Sequence, residues 1–214
     1  MRLVIFDVDG TLVDSQDFIV EAQRRAFVSL GLEPRDRTKA LSVVGLSLIE
    51  AFDMLTDGAG PSEALAKAYR DAWNVMLGDP NYETPLYAGA AECVSTLARR
   101  QDMMLGMATG KSRRGVERLL ARRCWQNHFA SVQTADDHPS KPAPDMILAC
   151  MEETGIGRGE TVMIGDTSFD MAMARAAGVR AIGVAWGYHD AEALLESGAE
   201  RVVADFAALR LALL

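Results

Sequence analysis

Short apolar runs recur along the chain, and each is followed by a turn and then by a segment whose apolar residues repeat with helical spacing. The runs at 3–6, 105–108, 130–134, 162–164, 181–184 and 202–203 are predicted to be buried strands. The helical patterns lie at about 88–100, 111–122, 142–154, 168–177 and 190–197. Strands that alternate with helices predict an α/β fold, a parallel sheet covered by helices on both faces.

Residues from about 15 to 81 do not follow this alternation and show only helical periodicity. Their apolar repeats are Phe18, Ala22, Ala26 and Leu30, then Leu48, Phe52 and Leu55, then Leu65, Ala68, Ala72 and Val75. We therefore predict a core domain at 1–14 and 84–214, with a helical cap domain at 15–83 inserted after the first strand. Asp14 or Ser15 is expected to cap the first cap helix. A cap at this place could act as a lid over a site; the alternative is a subdomain without a part in selectivity.

Two acidic motifs follow predicted strands, and active sites in parallel sheets gather at this edge. Asp7 and Asp9 precede Gly10, and residues two apart on a strand point to the same face. Asp166 follows another strand, and Asp170 lies one helical turn later. Either motif alone could be a turn with a helix cap. Together they favour a site for a hard cation such as Mg2+, which prefers oxygen ligands.

Two further motifs lie where a phosphate would need partners. Thr109 and Gly110 end a strand and open a helix, so a hydroxyl and free N–H groups could cradle an anion. Lys141 precedes two prolines that are expected to stiffen its loop, which makes it a candidate phosphate clamp. Taken singly, a plain N-cap and a surface lysine are the commoner interpretations.

Composition narrows the class of protein. Of 214 residues, 49% are hydrophobic and 24% charged, as in globular rather than disordered chains. The net charge of −8 argues against a nucleic-acid partner. No apolar run is long enough for a membrane span, and no signal peptide is visible. The unpaired spacing of Cys93, Cys124 and Cys150 is typical of reduced thiols in a cytoplasmic protein. Nothing in the sequence indicates an oligomeric state.

The four motifs, in this order and at these separations, resemble those of the haloacid dehalogenase superfamily. They are residues 7–11, Thr109, residues 141–142 and residues 165–170, and the similarity extends over essentially the whole chain. The helical insertion is similar to that superfamily's first cap type. The resemblance implies a Rossmann-like sheet, a phosphoaspartyl intermediate and Mg2+ as cofactor.

The resemblance also implies roles for the motif residues. Asp7 would be the nucleophile, and Asp9 the general acid and then the general base. Mg2+ would lie between a carboxylate oxygen of Asp7, the backbone carbonyl of Asp9, and Asp166, with Asp170 supporting the metal or orienting Lys141. The phosphoryl oxygens would be held by Thr109, the N–H of Gly110 and Lys141. The expected partner is a small-molecule phosphate ester.

The same residues help to distinguish between this activity and other activities of the superfamily. A dehalogenase needs no acid at the position of Asp9, because a halide leaves without a proton. A phosphonatase would bring a Schiff-base lysine from the cap, and Lys39 and Lys67 have no recognisable setting for it. A sugar phosphomutase or a pyrophosphatase shares the core chemistry and stays open. A catalytically silent binding protein is disfavoured by the complete set of motif residues.

Two regions resemble phosphoglycolate phosphatases in particular. They are residues 44–52, in which Gly45, Leu46 and Ser47 are candidates for cap specificity, and residues 183–199, which include Trp186 and Tyr188. These two aromatic residues are more simply explained as packing at the sheet edge. A stripe of arginines at helical spacing, Arg114, Arg118 and Arg122, is better explained as a solvated helix face than as a phosphate-binding face.

Overall fold

The computed structural model describes residues 1–79 and 84–214, and its centre is a six-stranded parallel sheet. The strands are β1 Arg2–Phe6, β2 Met103–Thr109, β3 Ser131–Thr134, β4 Thr161–Gly165, β5 Arg180–Val184 and β6 Arg201–Val203. Their order in the sheet is β3-β2-β1-β4-β5-β6. Every predicted run forms a strand, and the predicted α/β class is confirmed.

Helices connect these strands. Those of the described residues are α1 Gln16–Ser29, α2 Arg37–Leu41, α3 Leu48–Leu55, α4 Ser62–Met76, α5 Ala90–Ala98, α6 Arg113–Arg123, α7 Asp145–Thr154, α8 Ser168–Ala177, α9 Ala191–Ser197 and α10 Phe206–Leu213. Helix α7 begins at Asp145 rather than at the predicted residue 142, because a residue before proline is kept out of the helical region. Helix α10 was not predicted; the Asp205 side chain caps it by accepting from Ala208 N at 2.7 Å.

Alternate residues of β1 face the two sides of the sheet. Val4 and Phe6 belong to one hydrophobic cluster, which includes residues of α5 and α10. Leu3 and Ile5 belong to a second cluster, which includes residues of α7, α8 and α9. All four side chains are buried, so the strand reads as a continuous apolar run. Among the described residues, no helix is both long and apolar enough to cross a membrane.

The strand order creates a crevice at the middle of the sheet. From β1 the chain adds β2 and β3 on one side and then β4, β5 and β6 on the other. Such a reversal leaves a gap between the connections at the carboxyl ends of β1 and β4. The residues that follow these two strands are Asp7 and Asp166. The topology therefore brings two of the predicted site residues to one place.

Helices α1 to α4 pack against one another over a small apolar core of their own. Phe27, Phe52 and Leu65 are buried in it, and the Phe27 and Phe52 ring centroids are 5.9 Å apart. The predicted inner face of α4 is partly wrong, because Val75 is 70% exposed while Met76 is fully buried. A helical repeat with several apolar residues does not specify which stripe faces the neighbour.

The chain crosses between these helices and the sheet along two adjacent segments. Asp14 N donates to Pro85 O at 2.8 Å, and Tyr87 N donates to Leu12 O at 3.1 Å. Ser15 precedes α1 but its side chain makes no cap hydrogen bond, so the cap expected from this residue is not formed by its hydroxyl. The end of the predicted cap domain, at 80–83, lies outside the described residues, and the division into two domains stays a prediction.

The buried position of Leu65 leads to a test of the core formed by α1 to α4. Leu65→Ala should lower the free energy of unfolding by about 2–5 kcal/mol, because it leaves a cavity in a closed core. Urea denaturation followed by circular dichroism measures this. Leu211→Ala is the control, since that leucine is 79% exposed and should change stability by less than about 0.5 kcal/mol. Equal effects of the two substitutions would contradict the packing described.

Candidate active site

Three buried carboxylates meet in the crevice between β1 and β4. Asp7 is 1% exposed and Asp166 and Asp170 are fully buried. One carboxylate oxygen from each lies within 4.8 Å of the other two. Asp7 is held at the strand end by its N–H, which donates to Ile164 O at 2.9 Å. The carboxylates predicted from two separate motifs therefore form one cluster.

Lys141 enters the same cluster from the loop before α7. Its Nζ lies 3.0 Å from Asp7 Oδ1 and 2.6 Å from Asp170 Oδ1, and its side chain is fully buried. Asp170 Oδ2 accepts from Thr167 N at 3.0 Å and from Thr167 Oγ1 at 2.7 Å. These bonds form the capping box of α8. Asp170 thus begins a helix with one oxygen and orients Lys141 with the other.

The cluster carries more negative than positive charge. Burial raises the pKa of Asp7 to about 6, against the lowering effect of Lys141, and burial with Asp7 and Asp170 as neighbours raises the pKa of Asp166 well above its usual range. Burial alone would lower the pKa of Lys141, but Asp170 and Asp7 raise it.

With all groups ionised, three carboxylates and one ammonium leave an excess of two negative charges, 3 − 1 = 2. Neither side-chain oxygen of Asp7 accepts a hydrogen bond of good geometry from a described residue. An all-oxygen site with this charge and with free acceptor atoms fits a divalent cation.

Two glycines allow the backbone to close around Asp166. A Cβ on Gly10, whose φ is +89°, would lie 2.1 Å from Asp166 Oδ2. A Cβ on Gly187 would lie 2.1 Å from Asp166 Cβ. Asp166 itself is fixed by Thr11 Oγ1, which donates to Oδ1 at 2.7 Å, and by Tyr188 N, which donates to Oδ2 at 3.0 Å. Glycine is thus required at position 10 by close packing as well as by the positive φ.

The two aromatic residues of the 183–199 region have different surroundings. Trp186 packs on the core cluster and donates from Nε1 to Thr11 O at 3.0 Å, in agreement with a packing role. Tyr188 lies close to the site. Its hydroxyl is 3.0 Å from Ser15 Oγ, and its backbone N–H donates to Asp166 Oδ2. Packing at the sheet edge therefore explains only the first of them.

Asp9 is held apart from the three clustered carboxylates. Its Oδ1 accepts from Ser15 Oγ at 2.7 Å, and its two oxygens lie 2.8 and 2.9 Å from Nζ of Lys111. The Lys111 ammonium also lies 4.7 Å from the ring centroid of Trp73, on α4. Sequence reasoning missed Lys111 and the part played by Ser15. The position of Lys111, in the loop that follows β2, could have indicated it.

A cavity of about 430 Å3 lies between these residues, helices α1, α3 and α4, and the loop before α3. Of the predicted site residues, Asp7, Asp9, Thr109, Gly110, Gly45 and Leu46 line it, whereas Ser47, Lys141, Asp166 and Asp170 do not. Ser47 instead donates its N–H to Ser140 Oγ at 2.8 Å, next to Lys141. Thr109 is 1% exposed and its Oγ1 accepts from Lys111 N at 3.2 Å.

The predicted cap meets the core tightly at Gly110. A Cβ there would lie 2.6 Å from Gly45 O and 2.7 Å from Leu46 O, both backbone atoms of the loop before α3. No real side chain approaches backbone this closely, so glycine at this position permits the contact. The loop that contains Gly45 and Leu46, the residues predicted to determine cap specificity, therefore covers the cavity at this point.

The arginine stripe of α6 is divided by the structure. Arg122 is exposed and lies away from the cavity, as expected for a solvated helix face. Arg114 and Arg118 line the cavity, and so does Arg70 of α4. Arg114 is exposed, as expected for a solvated face, and Arg118 is half-buried, so the predicted solvated face also borders the cavity.

The sequence matches a known protein family over most of its length. The profile of the family described as haloacid dehalogenase-like hydrolase matches residues 4–184, which include all four motifs. The chain belongs to the haloacid dehalogenase-like hydrolase family. The resemblance stated from the motifs is thereby confirmed.

Individual relatives of this family member are named as phosphatases. One, named "Probable phosphatase IndB", from Dickeya dadantii, is 34% identical over 208 residues, 95% of this chain and 90% of the relative. A phosphoglycolate phosphatase from Chromobacterium violaceum is 33% identical over 217 residues, 98% of this chain and 95% of the relative. A hydrolase structure from Pseudomonas syringae superposes with a TM-score of 0.86 at 26% identity and covers 100% of this chain and 98% of its own.

The excess negative charge of the cluster leads to a stability test with a metal chelator present. Asp7 and Asp166 have raised pKa values, so the stability they contribute is complete below their unfolded pKa near 3.8. It is lost as pH rises, for Asp7 through about 6. Asp166→Asn removes one buried charge, yet an amide can still accept from Tyr188 N and donate to Thr11 Oγ1. Its unfolding temperature at pH 8 should exceed the parent's by about 2–4 °C or more.

Differential scanning calorimetry at pH 5 and pH 8 measures this difference, which should shrink at the lower pH. Asp57→Asn is the control, because Asp57 is exposed and lies outside the cluster. A lower unfolding temperature for Asp166→Asn at pH 8 in chelator would show that the cluster is not electrostatically strained.

Proposed function

We propose that this family member is a Mg2+-dependent phosphatase that hydrolyses a small-molecule phosphate monoester through attack by Asp7. The observation that carries the proposal is the state of the Asp7 carboxylate. It lies at the wall of the cavity, 3.0 Å from a buried ammonium, with no well-formed hydrogen bond to either oxygen. A carboxylate that is paired with one ammonium, has no well-formed hydrogen bond and lies next to a candidate cation site is suited to attack an electrophilic phosphorus.

The metal would be held by Asp7, Asp166 and the backbone carbonyl of Asp9. Bound there, Mg2+ would supply positive charge that neutralises the phosphoryl oxygens and polarises the phosphorus. The side chain of Asp9 points to Ser15 and Lys111 instead, which keeps its carboxylate out of the proposed metal site and at the wall of the cavity, where it would transfer a proton. Asp170 would act through Lys141, whose direction it determines.

The proposed reaction has two steps, in which Asp7 first accepts and then releases the phosphoryl group. In the first, an oxygen of Asp7 forms a bond to phosphorus while the bond to the leaving oxygen breaks, and Asp9 gives that oxygen a proton. In the second, Asp9 takes a proton from water, whose oxygen attacks phosphorus and releases the Asp7 carboxylate and phosphate. Lys141, the Thr109 hydroxyl and the Gly110 N–H would bind the phosphoryl oxygens throughout.

Lys111 and Ser15 are assigned here as positioning residues for Asp9. They hold its carboxylate between the end of β1 and α4, since Lys111 also contacts Trp73. The presence of Asp9 favours phosphoryl transfer over halide displacement, because only the former needs an acid at this position. Sugar phosphomutase and pyrophosphatase activities use the same core chemistry. The first differs in the acceptor of the phosphoryl group, and the second in the phosphate compound that is cleaved. The expected cytoplasmic location, and the absence of nucleic-acid and membrane partners, stay predictions.

The role of Asp7 is tested with 4-nitrophenyl phosphate and Mg2+. Asp7→Asn should reduce phosphate release at least about 1000-fold, because an amide cannot form the covalent intermediate. Excess chelator should abolish release by the parent protein, and added Mg2+ should restore it. Colorimetric phosphate determination measures both effects. Release by Asp7→Asn at the parent rate would falsify the proposal.

Asp9→Asn serves as the matched comparison, since it changes a carboxylate two residues along. It should lower kcat/KM for an alkyl phosphate far more than kcat/KM for 4-nitrophenyl phosphate, because kcat/KM reports the step in which the leaving group departs and nitrophenolate leaves without a proton. Equal falls in kcat/KM for the two esters would remove the assignment of Asp9 as the acid.

The close contact of Gly110 with the loop before α3 can be disrupted by a substitution that keeps the Gly110 N–H as a hydrogen-bond donor. Gly110→Ala keeps the N–H, but its methyl group would collide with Gly45 O and Leu46 O. We expect kcat/KM to fall about 10- to 100-fold, because the cap loop and the phosphate cradle can no longer meet in this geometry. Mg2+ affinity, measured by activity titration, should stay close to the parent's.

Gly159→Ala is the control, since a Cβ there meets nothing within 4 Å. If Gly110→Ala had the same kcat/KM as Gly159→Ala, the close approach of cap and core would have no part in turnover.

A further inference from the structure

The cavity indicates which kind of phosphate ester the protein hydrolyses, an inference that rests on the proposed function. Its volume of about 430 Å3 lies within the range of sites that enclose ligands of drug size. A two-carbon ester such as 2-phosphoglycolate would occupy a small part of this space. Such an ester bound at Asp7 would leave the walls far from Asp7 without a contact.

The wall formed by the helical insertion is predominantly apolar. Val44, Leu46 and Phe52 line it, and Trp73 adds an indole ring that is also in contact with Lys111. No acidic residue of α1 to α4 is among the described residues that line the cavity. Such a surface favours an apolar chain or a ring, which can stack on the indole and displace water.

Beyond this wall, the cavity is bordered by three arginines from two different elements. Arg70 lies on α4, and Arg114 and Arg118 lie one turn apart on α6. Within residues 1–79 and 84–214, no carboxylate forms an ion pair with any of them. Arg113, next in sequence to Arg114, is instead paired with Asp137 at 2.6 Å.

The one acidic residue in the lining near α6 is already engaged. Asp136 Oδ2 accepts from Arg113 N at 2.8 Å, at the start of that helix. Arg70 and Arg114 are exposed and Arg118 is half-buried, and all three border the cavity without an ion-pair partner among the described residues, in a chain of net charge −8. Guanidinium groups bind carboxylates and phosphates through paired hydrogen bonds.

We propose that the substrate is a phosphate monoester with a second anionic group, separated from the scissile phosphate by an apolar ring or chain. The scissile phosphate lies at Asp7, the apolar segment lies along Phe52 and Trp73, and the second anion binds Arg70, Arg114 and Arg118. Carboxylate and phosphate share this chemistry, and the experiment separates them.

The test compares esters that differ only at the far end. Phenyl phosphate has no second anion, 4-carboxyphenyl phosphate has a carboxylate, and 1,4-phenylene bisphosphate has a second phosphate. 2-Phosphoglycolate has a second anion without an apolar spacer. For the parent protein, kcat/KM should be about tenfold or more higher for an ester with a ring-spaced anion than for either phenyl phosphate or 2-phosphoglycolate.

The variants are Arg70→Gln, Arg118→Gln and their combination. The double variant should lower the ratio of kcat/KM between the two-anion ester and phenyl phosphate by about tenfold or more. Arg122→Gln is the matched control, because Arg122 lies one turn further along α6, exposed and away from the cavity. It should leave the ratio unchanged. An unchanged ratio in the double variant, or the same fall in Arg122→Gln, would overturn the proposal.

A binding arm separates this inference from the proposed function. Isothermal titration of the Asp7→Asn protein with the same esters measures affinity without turnover. The Asp7→Asn protein should prefer the esters with a ring-spaced anion, and this preference should disappear in the triple variant Asp7→Asn, Arg70→Gln, Arg118→Gln. That outcome would support the inference even if the parent protein released no phosphate. The lack of phosphate release would then refute the phosphatase proposal alone. Equal affinity for phenyl phosphate and both two-anion esters would refute the inference alone.

Discussion

The burial of three carboxylates around one lysine is the constraint on which the rest of the structure depends. Asp7 and Asp166 follow two adjacent strands, Asp170 lies in the first turn of α8, and Lys141 comes from the loop before α7. Charged groups are stable at this depth only when each is paired or is neutralised by a cation. Each nearby feature serves that pairing, from the capping box on Asp170 to the glycines that leave room for Asp166.

The helical insertion completes what the sheet alone leaves open. A parallel sheet exposes its strand ends, and here the loop at Gly45 covers them through a contact that only glycine at 110 allows. The insertion also adds an apolar wall and Arg70, while the core adds Lys111 and two arginines of α6. The acidic cluster and the apolar wall are thus supplied by different parts of the chain, which meet at one cavity. In the proposed function, the first part carries the chemistry and the second the recognition of the ester.

Much of the fold could be predicted from sequence because its signals are local. Six apolar runs became six strands, since a strand buried on both faces must be apolar throughout. The inner face of α4 could not be read in the same way, because Leu65, Ala68, Ala72 and Val75 form a plausible stripe that the neighbouring helices do not select. Helix α10 was missed for a related reason, since a short terminal helix is stabilised mainly by what it packs against.

The acidic strand ends and the family could be predicted from sequence, because motif spacing along a parallel sheet leaves few arrangements. The contacts of Asp9 with Lys111 and Ser15, and the place of Arg114 and Arg118 at the border of a cavity, are visible only in the folded chain. These contacts join residues from separate elements, and their distances depend on how the insertion packs on the core. Side-chain partners of this kind leave no periodic signal in the chain, because nothing in local spacing encodes which helix faces which loop.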